Sequence, residues 1–432
     1  MKLLIRGGRV LDPARDIDDQ LDVLVEGGKI IGLERNLTLS LDERKTTQVI
    51  EATGKLVVPG LIDIHTHLRE PGFEHKETLQ TGMAAAAAGG FTSIACMANT
   101  SPPNDNQAVT LYIRQRAREI GTVNVFPIGA VSVGLKGERL AEIGELKEAG
   151  VIAVSDDGLP VATSQLMRRA LEYTKMFDLP VIDHCEDLSL IANGAMHESL
   201  VSTELGLRGI PRESEDIIVA RDILLTKLTR GRFHVAHVSS KGAVELIRWA
   251  KDMGLQVTAE VTPHHLLLTD EAVRSFDTNT KMNPPLRSAA DREALQQALK
   301  DGTIDAIATD HAPHNVAEKE FDYDHAPFGV SGLETALPLV LELVRRGLLS
   351  LQEAIAKLTY MPAKIMRLDK GSLAPGKDAD ITIIDLEHEY TIDVHRFRSM
   401  GKNSPFHGWK VKGAVVFTIV GGRIVYRGEM SD

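Results

Sequence analysis

What most constrains this chain is a pattern that recurs along most of its length: a short apolar run, a polar tip, and then a stretch with helical periodicity. The first instance is Leu56-Val57-Val58-Pro59-Gly60-Leu61-Ile62, read as a buried strand that feeds the tip Asp63-Ile64-His65-Thr66-His67-Leu68-Arg69. Side chains alternate along a strand, so His65, His67 and Arg69 would leave one face if the strand continued that far. Apolar runs follow at 92–96, 124–128, 151–154, 181–183, 232–236, 256–260 and 306–308. Helical stretches at 82–88, 107–119, 164–177, 214–228, 242–252 and 289–300 lie between most of them. Eight strands alternating with helices specify an α/β fold, a (β/α)8 TIM-type barrel. The alanine run at 84–88 reads as a small-residue helix packed close on it.

The two ends read differently. Short strands at 2–6, 10–11, 21–25, 29–33 and 48–51 are separated by Gly7-Gly8 and Gly27-Gly28, and strands return at 380–385 and 413–420. Neither end has enough apolar surface to fold alone. They are expected to form one small β-sandwich domain, residues 1–56 with 370–432, beside a barrel over 57–369. A net charge of −11, with no basic patch, argues against nucleic acid or an anionic membrane as partner. Cys96 and Cys185 are too few for a disulfide framework, the first residues do not read as a signal peptide, and no apolar run approaches the roughly 20 residues of a bilayer span. A cytoplasmic location is expected.

A barrel of this kind carries its chemistry at the C-terminal ends of its strands. After the fourth run come Ser155-Asp156-Asp157-Gly158, after the fifth Asp183-His184-Cys185-Glu186, after the sixth Ala236-His237-Val238-Ser239-Ser240, and after the eighth Thr309-Asp310-His311-Ala312-Pro313-His314. With His65 and His67, four imidazoles and two carboxylates arrive at one rim. A single histidine at a strand end is more often a satisfied hydrogen-bonding residue than a ligand, but this many together argue for a metal site. Nitrogen and oxygen donors without thiolates suit zinc, with manganese, cobalt or iron as substitutes.

At these residues the sequence resembles the amidohydrolase superfamily and, within it, the dihydroorotase family whose bridging ligand is an aspartate. The motifs that carry the resemblance are residues 63–72, Met97-Ala98-Asn99-Thr100-Ser101-Pro102-Pro103, Glu260-Val261-Thr262-Pro263-His264-His265, residues 309–314 and Pro327-Phe328-Gly329-Val330-Ser331-Gly332-Leu333-Glu334-Thr335. The resemblance implies that His65, His67 and Asp310 hold one metal, and His184 with His237 a second, for one or two zinc ions per chain. Asp157 would bridge them; the residues alone leave Asp156 open, and the family spacing to His184 favours Asp157. The fourth run contains no lysine, the bridging residue of many relatives.

The implied reaction is the reversible closure of N-carbamoyl-L-aspartate to L-dihydroorotate in pyrimidine synthesis. Metal-bound hydroxide is the expected nucleophile and Asp310 the general acid and base. By the same resemblance Arg69, Asn99 and His314 hold the substrate carboxylate, Asn283 contacts the ring, and Pro327, Phe328 and Gly329 also bind substrate; the charged segment 316–328 reads as a mobile loop over the mouth, with the Gly329 backbone a contact to the ring amide. His264, His265 and His311 are read as partners of ligand histidines, and His75, His197, His234, His325, His395 and His407 as structural or surface residues. Allantoinase and dihydropyrimidinase are the nearest rival activities. A non-catalytic scaffold for aspartate transcarbamoylase is the rival of another class, disfavoured because every ligand position is kept. Some members of the family associate with aspartate transcarbamoylase, and that partnership and a homo-oligomer both stay open here.

Overall fold

The computed structural model describes residues 2–428 and gathers the recurring runs into a ring of parallel strands. Leu61–Thr66, Phe91–Cys96 and Asn124–Pro127 pair as one arc; Pro180–Asp183, Arg232–Val235, Val257–Val261 and Ala306–Ile307 pair as another. The fourth strand is the least regular. Its ladder is reduced to Val154, which bridges Gly129 on one side and Val181 on the other and so joins the arcs. Thr66 bridges His311 and closes the ring. Inside, Ile62, Ile64 and Ile182 pack against Ala153, Ala236 and Ala306, large side chains facing small ones as a filled barrel requires.

Outside the ring, helices such as Ser164–Thr174, Glu213–Thr229 and Lys241–Asp252 return the chain to the next strand. Leu79–Ala88 contains the alanine run. Thr78 caps its start, and Leu79, Gly82, Met83 and Ala85 to Ala87 are all buried. Thr418 Oγ1 donates to Ala87 O at 2.7 Å, so this helix is wedged between the barrel and a strand of the terminal sheet, where only small side chains fit.

Strands from both ends of the chain share one eight-stranded sheet. Its seam is Leu56–Pro59, parallel to Lys2–Asp12 and antiparallel to Ile381–Thr391. The two extremes of the sheet then meet: Ala379 N donates to Gly28 O, Gly422 N donates to Ala379 O, and a Cβ on Gly28, at φ +81°, would lie 3.0 Å from Gly421 O. Leu3, Val23, Ile30, Ile381 and Ile419 share one core from both arms, which makes the sheet a β-sandwich. No helix among the described residues is long and apolar enough to cross a membrane.

One expected strand is divided. Residues 56–62 read as a single barrel strand, but the chain breaks at Gly60, leaving Leu56–Pro59 in the sandwich and starting the barrel at Leu61. The cause is local: Gly60 N donates to Asp380 O at 2.8 Å, and a Cβ there would lie 2.1 Å from Thr92 Oγ1. Gly60→Ala should therefore destabilise the chain by about 1–3 kcal/mol through overpacking, read as a lower urea midpoint. An unchanged midpoint would mean that Thr92 yields without cost.

Candidate active site

The first strand delivers His65 to the floor of the barrel mouth, fully buried. Its Nδ1 hydrogen-bonds the Glu260 carboxylate from the seventh strand, and its Nε2 has no hydrogen-bond partner. His67 is oriented in the same way by a different group. Its Nδ1 donates to Asn99 Oδ1 at 2.8 Å, leaving Nε2 at 3.1 Å from Asp310 Oδ1 and 3.4 Å from Asp157 Oδ2. A histidine fixed at one ring nitrogen by an acceptor offers the other as a lone pair, the arrangement that metal sites use.

Asp157 stands between two histidine pairs. Its Oδ2 is 3.4 Å from Nε2 of both His65 and His67; its Oδ1 is 3.2 Å from His237 Nε2 and 3.7 Å from His184 Nδ1. His184 Nε2 lies 3.5 Å from Glu186 Oε2, which turns Nδ1 inward to 2.9 Å from His237 Nε2. Asp156 points elsewhere. Its carboxylate accepts from Val131 N, Ser132 N and Ser132 Oγ and so holds the neighbouring strand tip.

Two groups of metal-ligating atoms thus fall together, His65, His67 and Asp310 in one, His65, Asp157 and His237 in the other. The field is matched to them. Burial favours neutral imidazoles, yet Asp157 and Glu260 hold His65 well above the ordinary histidine range, and Glu186 and Asp157 push His184 up to about 9. Burial likewise favours neutral carboxyls, yet His65 and His237 hold Asp157, and His67 and His65 hold Asp310, far below the usual carboxylate range. The pocket stabilises positive charge and faces its centre with lone pairs. That donor set fits a divalent cation.

Three site residues hold left-handed backbone: Arg69 at φ 64°, His237 at φ 30° and Asp310 at φ 47°. Strain of this kind costs about 1–3 kcal/mol per residue and persists where the surroundings over-determine it. It also explains one departure from the sequence reading. The first strand ends at Thr66, so strand alternation does not carry Arg69; a turn does.

On the outer wall, Arg69 Nε donates to Pro313 O at 3.3 Å, and among the described residues no carboxylate pairs with its guanidinium. Burial lowers it to about 10, still charged near neutrality. His314 lies beside it, with Nε2 donating to Phe328 O at 2.8 Å and Nδ1 at 3.2 Å from Glu318. Burial, then the Arg69 cation, lowers His314 to about 3. Asn283 Nδ2 donates to Glu186 Oε1 at 3.0 Å, while its Oδ1 is buried with no partner. Gly329 N donates to Lys281 O, so of its backbone only the carbonyl has capacity left.

The segment over 316–328 was expected to be mobile. It contains a short helix, Val316–Lys319, and Lys319 is buried, with Nζ donating to Thr278 O, Lys281 O and Pro327 O. Within the charged triplet Glu318-Lys319-Glu320 the lysine is a tether. His264, His265 and His311 are not the groups that orient the ligand histidines. His265 Nε2 donates to Pro284 O, His311 contacts Glu77 and Gly332 N, and His264 Nε2 is without a partner. The orienting groups are Glu260, Asn99 and Glu186. Glu260 also accepts from His234 Nε2 at 3.2 Å, and His234 Nδ1 pairs with Thr258 Oγ1, a buried chain ending at His65. Inward alternation of Glu260 in an apolar strand was the available signal for it. Glu260→Gln should lower metal affinity about 10–100-fold, measured by equilibrium dialysis against zinc. Undiminished affinity would show that His65 needs no carboxylate behind it.

The architecture and the matched segments agree with known proteins. Residues 54–243 match the model of the family described as dihydro-orotase-like, and residues 232–426 match that of the amidohydrolase family. The dihydroorotase of Geobacter metallireducens is 55% identical over 99% of this chain and 100% of its own, and that of Syntrophus aciditrophicus 54% identical with the same coverage. Among solved structures, the L-hydantoinase (dihydropyrimidinase) of Arthrobacter aurescens superposes with a TM-score of 0.89 at 28% identity, covering 100% of this chain and 97% of that one. Dihydropyrimidinase from Brevibacillus agri gives 0.86 at 27% identity, over 99% and 95%. The hydantoinases share the frame, whereas full-length identity above one half is with the dihydroorotases, and this chain belongs to the dihydroorotase family of amidohydrolases.

Proposed function

We propose that the chain interconverts L-dihydroorotate and N-carbamoyl-L-aspartate, in the cytoplasm, as a zinc-dependent cyclic amide hydrolase of pyrimidine synthesis. The observation that carries the substrate choice is Arg69: a charged guanidinium beside the metal-binding cluster with which no carboxylate among the described residues pairs. A half-buried cation without a paired anion leaves its fork free, and a carboxylate beside the substrate ring would complete a bidentate pair. Neither allantoin nor dihydrouracil carries that group. Two buried thiols with no disulfide, Cys96 and Cys185, suit a reducing compartment.

His65, His67 and Asp310 would hold one ion and His184 with His237 a second, Asp157 between them; the two oxygens of Asp157 facing separate histidine pairs support that division. Such an ion supplies a water-derived nucleophile near neutral pH and polarises the amide carbonyl. The protein must do the rest. Arg69, with the amide nitrogen of Asn99 and with His314, orients the carboxylate, and the unpartnered Asn283 Oδ1 can accept a ring N–H. His314, neutral and with its Nε2 hydrogen on Phe328 O, first has to turn that hydrogen to the substrate. Asp310, kept ionised by His67 and His65, accepts the proton of the attacking water and returns it to the amide nitrogen as the C–N bond breaks. Ring closure runs the same transfers backwards.

The test is dihydroorotate hydrolysis by the purified chain with metal measured on the same sample, allantoin and dihydrouracil alongside, and a repeat with aspartate transcarbamoylase added. Turnover of dihydroorotate is the expected result, and its appearance only in the repeat would assign loop support to that partner. Turnover of a rival substrate in its place would overturn the assignment. Asp310→Asn should lose about 10²–10⁴-fold in kcat beyond any loss of metal. Arg69→Lys should lose about 10- to 100-fold in kcat/KM, since an ammonium cannot reproduce the planar fork; wild-type kinetics from that variant would remove Arg69 from the site.

A further inference from the structure

Behind His314 and Gly329 stands a residue from the far end of the chain. Residues 392–409 leave the sandwich between Ile381–Thr391 and Lys410–Val420 and reach across to the eighth strand tip of the barrel. Two carboxylates dock the excursion, Glu77 buried and Glu334 half-buried. Glu334 accepts from Arg398 N at 2.9 Å and Ser399 N at 3.1 Å, and Glu77 accepts from Ser399 Oγ and from Met400 N. Gly401 then passes so near the barrel that a Cβ would lie 2.5 Å from Pro313 Cβ. The next residue but one, Asn403, is 3% exposed.

Every polar position of Asn403's side chain is engaged with the segment that forms the outer wall of the site. Oδ1 accepts from His314 N at 3.0 Å and Ser331 Oγ at 2.9 Å, while Nδ2 donates to Ala312 O and Gly329 O, both at 3.0 Å. Its backbone carbonyl accepts from Ser331 N at 2.7 Å. One primary amide with two donors and two acceptor lone pairs thus ties the strand after Asp310 to the loop that returns at Gly329. The left-handed backbone of Asp310 begins this stretch, and Arg69 is anchored on Pro313 within it.

We infer that Asn403 is a positioning residue for substrate binding: it fixes the His314 main chain and the direction of the Gly329 carbonyl, so the sandwich supplies part of the wall that receives the substrate carboxylate. The inference rests on the proposed reaction, because it takes His314 and Gly329 as substrate-facing. None of Asn403's hydrogen bonds goes to a ligand candidate, and its loss should act on binding rather than on the chemical step.

The test compares Asn403→Ala, Asn403→Asp and Gly401→Ala with the wild type in dihydroorotate hydrolysis, with rates normalised to bound metal. Asn403→Asp keeps the shape and the oxygen facing His314 N but removes both donor hydrogens; Gly401→Ala pushes the same excursion away from Pro313 without touching Asn403. The expected result is a KM for L-dihydroorotate raised tenfold or more in all three, with metal content unchanged and kcat within threefold. A residue that only stabilised the fold would lower the melting temperature and the active fraction and leave KM where it was. KM within twofold of wild type in Asn403→Asp and Gly401→Ala, whatever happens to stability, would overturn the inference. A wild type inactive on dihydroorotate would instead overturn the proposed reaction, so the two failures are separable.

Discussion

The constraint on which this molecule turns is the crowding of lone pairs at one end of the barrel. His65, His67, His184, His237, Asp157 and Asp310 bring their nitrogens and oxygens into one small volume, with separations of 2.9 to 3.7 Å. Left to themselves such groups repel or protonate one another. Three of the imidazoles are gripped from behind: His65 by Glu260, His67 by Asn99, His184 by Glu186. The closed ring makes the first two grips possible, because each runs between different strands or their tips.

That dependence reaches below the cluster. Asp63, two residues before His65, is fully buried, accepts from Thr309 Oγ1, Thr309 N and His65 N, and has its carboxyl pushed up to about 7 by burial. It stitches the first strand to the eighth at the point where the ring closes, one residue before Asp310. The geometry of the ion-binding atoms and the closure of the barrel are therefore a single problem, solved by the same side chains.

The strands and their polar tips were legible because burial writes them locally, as apolar runs bounded by charge. The six ligand candidates were legible for the same reason, each standing just beyond such a run. Asp157 could be preferred to Asp156 only by a likeness of spacing, since adjacent residues on a tip look alike until their partners are seen. What the sequence concealed is non-local. Glu260 ends an apolar run and acquires meaning only when the closed ring places His65, from the first strand, opposite it. Lys319 lies in a charged triplet, and nothing nearby announces that its ammonium turns inward to three carbonyls. The division at Gly60 depends on Thr92, thirty-odd residues away in sequence. In each case the deciding partner comes from another element.

The seam at Leu56–Pro59 carries a consequence for synthesis. That strand pairs with Lys2–Asp12, made before it, and with Ile381–Thr391, made more than three hundred residues after it. The first barrel strand follows it directly, and Asn403 arrives later still. A growing chain therefore carries strands 2–59 and its histidine pair through the making of the whole barrel without the partners that complete the sandwich and the outer wall. Such a chain has to be kept from pairing its open edge with a neighbour until residues 381–420 emerge.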